Sequence, residues 1–556
     1  MKTNYKKKIL VLILNAMMVG GVFSSCNLDE DLASVYNVDN AYVTEQNAQE
    51  GVNGIYRYLK GSTHPATFYL NDVSTDAAYK SGLDYEIMND NSLSGNVDVA
   101  RAYNGNWQMI GCANSAIDNI TPMDESKFSK GEHKKELLAE AHFMRAFAYY
   151  QLTNTFYRVP LITNGFYDAI ATPILASVDA LDEQIERDLL IAASSLPSTW
   201  DGKNVGGEGG RPTVGAAYGY LMRLYMRKAG RQREQGEDAT ESWQVALKYA
   251  NKVIAVGLYA LQPSIWDVFD PTSEKSLYNN EIIFAVRSSE KVPSGSSDIA
   301  LYFTPWSYNY GWDIFNIPLE LYWKYDKNDQ RFSKLMVGEY TDVYNANKKY
   351  KVPTFSEVGT LNNETGSPII MELAQAYTNK YYYEKAGSYN YNTPNNLPLL
   401  RYADVLLCKA EILNELNGLN QQSLDLLNQI RERAFGNSNH NYVMADFTTA
   451  DVFRSKLCDE RLLELNNEGI RRVDLIRMGL WKDRMDAYMD AIKVKVEKKE
   501  QNMGLSAGSL SAEWSIYPKF STTPLKKFDK RRYYPIPKVY SSKYSDLQNN
   551  RSFKEE

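Results

Sequence analysis

Cysteine is scarce in this chain: four residues in 556, at Cys26, Cys112, Cys408 and Cys458. Their spacing fits neither a disulfide framework nor a thiolate zinc site. The three beyond Cys26 are expected to be buried free thiols on helices. Histidine is as scarce, with His64, His133, His142 and His440 scattered along the chain. The sequence holds no His-Glu-x-x-His, no Gly-x-Ser-x-Gly elbow and no Cys/His pair at ligand spacing. No catalytic residue and no metal-ligand set is therefore assigned. The two carboxylates of a glycoside hydrolase carry no sequence signature, so the residues alone leave an enzyme open. Positive charge is not in excess either: 62 Lys and Arg stand against 68 Asp and Glu, for a net charge of −6. That balance argues against a binder of nucleic acid or of an anionic membrane, either of which needs a basic face. Segment 202–210 has five glycines but lacks the Gly-Lys-Ser/Thr ending of a phosphate loop, and it reads as a linker.

Tyrosine is abundant, with 41 residues against 19 Phe and 9 Trp. A phenol ring combines an apolar face with a polar tip, which serves both helix packing and wet recognition surfaces.

The N-terminus reads as an export signal. Lys2, Lys6, Lys7 and Lys8 precede an apolar run over 9–23, broken by Asn15, and Gly20, Gly21, Ser24 and Ser25 lead to Cys26. The run falls short of the roughly 20 residues that span a bilayer. Phe23-Ser24-Ser25-Cys26 resembles a bacterial lipobox. That resemblance implies a signal peptide over 1–25 and a lipid anchor on Cys26, held by several acyl chains, since one chain is marginal at ~0.8 kcal/mol per CH₂. The acidic run Asn27-Leu28-Asp29-Glu30-Asp31 resembles the surface-export tag of Bacteroidetes lipoproteins, and implies an outer membrane location facing the cell exterior.

Apolar periodicity predicts helices over 136–152, 211–229, 242–256, 399–417, 421–434 and 450–466, and a short strand over 281–288. Ala139, Phe143 and Ala146 repeat a small-large-small spacing that Ala403, Leu407 and Ala410 share, and Tyr218, Leu221 and Tyr225 add an aromatic version. These are fragments of the tetratricopeptide pattern, in which small residues let two helices pack closely. The fold class is therefore mostly α: a tetratricopeptide-like helix-pair scaffold with long irregular loops and a few short strands. Helical periodicity weakens over 293–397, where 301–312 holds six aromatics and 377–391 is similar. Long structured loops of this kind are usually functional.

Several blocks together resemble the SusD/RagB family of Bacteroidetes outer-membrane lipoproteins. They are Ala139-Glu140-Ala141-His142-Phe143-Met144-Arg145-Ala146 with 156–161, then Leu400-Arg401-Tyr402-Ala403-Asp404 with Lys409-Ala410-Glu411, then 427–434, then Glu460-Arg461-Leu462-Leu463-Glu464-Leu465 running on to Arg477, and finally Tyr534-Pro535-Ile536-Pro537 with 547–549. With the lipobox they follow the family's order from end to end. The resemblance implies an N-terminal helical region over 26–230 and a C-terminal region over 231–556 that includes the loop-rich 290–398. Arg145, Arg401, Asp404, Arg431, Arg433, Glu460, Glu464, Arg471 and Asp474 lie on otherwise apolar faces and are expected to pair between helices. Glu460 and Glu464 mimic an acid/base pair, but the arginines around them depress carboxyl pKa values, the wrong direction for a general acid.

The resemblance further implies a non-enzymatic protein that captures oligosaccharides for a SusC-like TonB-dependent transporter, with no cofactor. Rings cover the apolar face of a sugar and polar groups meet its hydroxyl rim. Trp306, Tyr308, Tyr310 and Trp312 are the leading ligand-binding candidates, on the aromatic loop. Asp72, Asp76, Tyr79 and Lys80 form a second set. Arg101, Tyr103 and Asn106, placed just before a helix beginning near Trp107, form a third. The alternatives are a peptide or glycoprotein nutrient in the same transporter pair, and a helical-repeat scaffold for protein partners. The acidic run Asp326-Lys327-Asn328-Asp329 is a weak Ca²⁺ motif without the EF-hand pattern.

Overall fold

Most of the long helices pack against the next in the chain, so the scaffold is a stack of helix pairs. A computed structural model describes residues 41–62, 68–73, 75–78, 93–165, 173–200, 210–272, 279–289, 297–360, 368–370, 376–384, 393–509 and 532–543. The signal segment, Cys26, Tyr79, Lys80, and 202–209 of the Gly-rich segment lie outside these residues. The stack runs through α1 (Glu45–Ser62), α2 (Val97–Ile120), α3 (Gly131–Phe156), α4 (Val178–Ser195), α5 (Val214–Glu234) and α6 (Thr240–Ala255). It continues through α7 (Tyr402–Asn417), which packs on α6, α8 (Gln421–Phe435) and α9 (Ala450–Leu465), and ends in α10 (Arg471–Arg477) and α11 (Trp481–Asn502). No helix among the described residues is long and apolar enough to cross a membrane.

The small residues do what their spacing predicts. Ala139, Ala146, Ala403 and Ala410 are fully buried, which lets neighbouring helices approach closely. Between them Phe143 meets Phe284 and Tyr220 edge-on, at centroid distances of 5.0 and 5.7 Å. Helix α3 is buried around most of its circumference, the signature of a central helix. Cys408 and Cys458 are buried free thiols, and Cys112 is half-buried.

Several expected boundaries shift: α3 spans Gly131–Phe156 against the expected 136–152 and α5 spans Val214–Glu234 against 211–229, and two further shifts have a clear cause. The helix expected from residue 399 begins at Tyr402, because Leu397–Arg401 forms a strand, β7, that pairs antiparallel with β1 (Ile282–Val286). Apolar side chains buried on both faces suit either element, and pairing with β1 decides it. The helix expected near Trp107 begins ten residues earlier at Val97, capped by Asn96, whose side chain accepts the N–H groups of Asp98 and Val99.

Charged residues of the family-like blocks tie the stack together. Arg145 pairs with Asp188 at 2.7 Å. Asp404 lies between Arg223 and Arg461, at 2.7 and 2.6 Å, and Arg461 reaches on to Asp474 at 2.7 Å. Arg401 joins Glu281, Glu464 and Glu468 at 2.7, 2.6 and 2.8 Å. Glu460 is held by Arg331 and Arg431 at 2.7 and 2.8 Å. Burial alone would raise the Glu464 carboxyl, but Arg433, Arg401 and Arg331 pull it well below the usual carboxylate range.

Between β1 and β7 the chain leaves the stack and returns. Because the two strands pair, both ends of this excursion are pinned together. The described part carries short helical turns and small sheets: β2 (Met336–Val337) pairs with β6 (Tyr377–Thr378), and β3 (Glu339–Thr341) pairs with β4 (Lys349–Lys351), which also pairs with β5 (Pro368–Ile370).

Candidate functional site

The aromatic loop is built from one helical turn and a dense set of backbone hydrogen bonds. Pro305 holds an extended conformation and opens the turn Trp306–Asn309. Tyr310 closes it in the left-handed region at φ 54°, and Asp313 follows at φ 53°. Non-glycine residues enter that region at a cost of roughly 1 kcal/mol or more, and do so when their surroundings hold them there. The holding contacts are explicit. The Trp312 N–H donates to the Leu301 carbonyl at 2.6 Å, the Asp313 N–H to the Thr304 carbonyl at 3.1 Å, and the Phe315 N–H to the Tyr302 carbonyl at 2.8 Å. Gly311 passes so close to Thr304 that a Cβ would lie 1.7 Å from the Thr304 carbonyl oxygen.

This loop is bolted to the β3–β4 hairpin. The Val343 N–H donates to the Ser307 carbonyl at 2.8 Å, and the Ser307 and Tyr340 hydroxyls lie 3.0 Å apart. The hairpin turn is set by Asp342, whose carboxylate accepts the N–H groups of Tyr344 and Asn345. Its tip carries Tyr344 to the surface beside Trp306.

Three rings result, exposed by 49% at Trp306, 36% at Tyr310 and 54% at Tyr344. The planes of Trp306 and Tyr344 are 19° apart with centroids 5.9 Å apart. Tyr310 stands across both, at 6.0 Å and 84° to Trp306 and at 5.3 Å and 86° to Tyr344. Three large rings left in water next to each other form an exposed aromatic patch, which makes them the candidate contact site.

The other two loop candidates form the floor. Tyr308 is half-buried and packs on Tyr340 at 5.0 Å and Tyr382 at 5.6 Å, and burial raises its hydroxyl pKa. Trp312 packs against Ala300, Leu301 and Tyr383, and edge-on to Tyr302 at 5.1 Å. Below them Tyr340 stacks on Tyr350 at 4.8 Å. Much of the tyrosine excess around this loop is thus packing.

The second and third candidate sets are placed elsewhere. Asp72 is buried, and its carboxylate accepts the N–H groups of Gly469, Ile470 and Arg471 at 2.7, 3.0 and 2.9 Å. Asp76 is buried in a two-pronged pair with Arg471, both contacts at 2.7 Å. Both carboxylates are committed to joining the N-terminal part of the chain to α10. Tyr103 is buried in α2 against Phe156 and Tyr540, each at 5.1 Å. Asn106 is buried in the same helix and donates to the Ala102 carbonyl at 2.8 Å. Of this set only Arg101 reaches solvent, 3.6 Å from Asp98. It acts on the Tyr302 hydroxyl, which burial and Asp298 push up to about 12 while Arg101 opposes them. The start of α2 therefore lies beside the floor of the aromatic loop. In the acidic run, the Asp329 carboxylate is buried and bound to Arg331 at 2.7 Å. No group of three or more metal-ligating side chains occurs among the described residues.

Sequence reasoning missed Tyr344. A signal was present: Asp342-Val343-Tyr344-Asn345-Ala346-Asn347 between two short alternating segments has the composition of a hairpin tip, and rings at such tips are exposed.

Comparison with known proteins follows the same lines. The family model described as the SusD family matches residues 265–553, and the one described as "starch-binding associating with outer membrane" matches 28–226. SusD-like protein P2 from Formosa agariphila is 25% identical over 85% of this chain and 91% of its own length. The crystal structure of a SusD homolog from Bacteroides thetaiotaomicron superposes with a TM-score of 0.72 at 20% identity, covering 92% of this chain and 97% of the other. Surface glycan-binding protein A from Bacteroides thetaiotaomicron, solved in complex with laminarihexaose, superposes with a TM-score of 0.62 at 18% identity, covering 91% and 98%. With a helix-pair scaffold shared over nearly its whole length and a family model matched across more than half of it, this chain belongs to the SusD family.

Proposed function

We propose that this protein is a lipid-anchored glycan-binding protein of the cell surface, which holds oligosaccharides by ring stacking and passes them to a SusC-like TonB-dependent transporter without altering them. The observation that carries the reading is the exposed trio Trp306, Tyr310 and Tyr344 on a loop whose backbone is fixed before any ligand arrives. Sugar rings present flat C–H faces that stack on aromatic faces, and a prearranged platform avoids the cost of ordering side chains on binding. The carboxylates that most resemble an acid/base pair are taken up by the scaffold. Glu460 and Glu464 are buried among arginines, with no access for substrate. The membrane tether is the acylated Cys26 of the lipobox-like segment.

Affinity electrophoresis of the detergent-solubilised full-length protein through gels loaded with polysaccharides tests the reading. Retardation in at least one gel, lost in a Trp306→Ala/Tyr344→Ala variant, is expected. Equal mobility of both proteins in every gel contradicts it.

A further inference from the structure

We infer that the Trp306–Tyr344 platform selects a glycan of extended, ribbon-like shape over one that coils; this rests on the reading of the ring trio as a glycan site. The two planes differ by 19°, and their centroids are 5.9 Å apart. Directly superposed rings sit closer than this, so the pair is displaced sideways and offers two adjoining faces of nearly one tilt. In a pyranose chain linked through equatorial bonds at opposite ends of each ring, successive rings keep their C–H faces on a nearly flat ribbon. An axial bond at one end, or linkage through ring corners that are not opposite, turns each unit against the last and the chain coils. A coiled chain needs a curved arc of rings, and the two faces here barely diverge.

Tyr310 adds a wall nearly perpendicular to both faces, which bounds the platform rather than extending it into an arc. The angle between faces is held by the backbone. Left-handed Tyr310 and Asp313, the close approach at Gly311 and the Val343–Ser307 hydrogen bond all fix one face against the other.

The charge at the hairpin tip is answered locally. The Asp342 carboxylate is taken up by the Tyr344 and Asn345 N–H groups and the Tyr350 hydroxyl. Lys348 lies 3.9 Å from Asp342, with its ammonium 4.9 Å from the centre of the Tyr350 ring. These two charges answer each other at the hairpin tip.

Titration calorimetry with three glucose hexaoses tests the inference on the detergent-solubilised full-length protein: cellohexaose, which is extended, and maltohexaose and laminarihexaose, which coil. Cellohexaose is expected to bind about tenfold tighter or better, and Tyr344→Ala is expected to bring the three towards parity by removing one of the two near-parallel faces. Trp306→Phe, which keeps a ring, is expected to retain the order. Equal or tighter binding of maltohexaose or laminarihexaose overturns the flat-platform inference and leaves the glycan reading standing. Binding of none of the three overturns the flat-platform inference, while the glycan reading stands or falls on the polysaccharide gels.

Discussion

The indole of Trp306 and the phenol of Tyr344 come from separate segments yet lie within 19° of parallel, with 5.9 Å between centroids. Their alignment depends on the hydrogen bond from the Val343 N–H to the Ser307 carbonyl, at 2.8 Å, which locks hairpin to loop. Both rings are about half in water, so they contribute little to the core.

Trp306→Ala and Tyr344→Ala are therefore expected to separate binding from stability. Each should weaken oligosaccharide affinity by about 2 kcal/mol, the size of a ring hot spot. Each should move unfolding stability by no more than about 0.5 kcal/mol. Calorimetric titration and chemical denaturation on the same preparations check the pair of outcomes.

Gly311→Ala should act through the backbone. Its added Cβ would meet the Thr304 carbonyl oxygen, so the loop must move, at about 1–3 kcal/mol in stability. Binding should fall although no ring has been removed. Thermal unfolding together with glycan titration shows whether both drop.

Arg401→Ala should destabilise the scaffold far from the rings. It leaves Glu281, Glu464 and Glu468 buried with less compensation. Removing one partner of a buried ionic cluster costs about 3–5 kcal/mol, which a denaturant midpoint would register. The ring platform of whatever protein remains folded should bind as before.

Acid should unfold the protein through the same cluster. The folded Glu464 carboxyl is held well below its ordinary range by Arg433, Arg401 and Arg331 against the opposing effect of burial. A depressed carboxyl contributes stability that is fully present above the unfolded value of about 4.3 and is lost as pH falls through the folded one. Stability measured from pH 7 downward should thus hold until about pH 5 and then decline. Glu464→Gln should start lower and decline less steeply over that range.

Much of the scaffold was legible because small residues and apolar periodicity are local. Ala139, Phe143 and Ala146 announced α3, and the ends predicted for α6, α8 and α9 fall within two residues of those observed. Helix α2 was placed too late because its first turns carry Asp98, Arg101, Asn104 and Asn106, which dilute the apolar stripe. The site was legible only in part. Composition marks the loop 301–312 as ring-rich but says nothing of which rings face outward, and Tyr308 and Trp312 turn to the floor while Trp306 and Tyr310 do not. Asp72 and Asp76 illustrate the same limit: their partners, Gly469 to Arg471, lie far along the chain, and no local pattern distinguishes a carboxylate that meets a ligand from one that receives a distant helix start.

The most direct test of the central claim is a titration of oligosaccharide into the full-length protein and its Trp306→Ala/Tyr344→Ala variant, followed by mass analysis of the recovered sugar. Saturable binding by the parent, at least tenfold weaker binding by the variant and a sugar of unchanged mass are the predicted result. Equal affinity in both proteins, or shortened sugar after incubation with the parent, would contradict it.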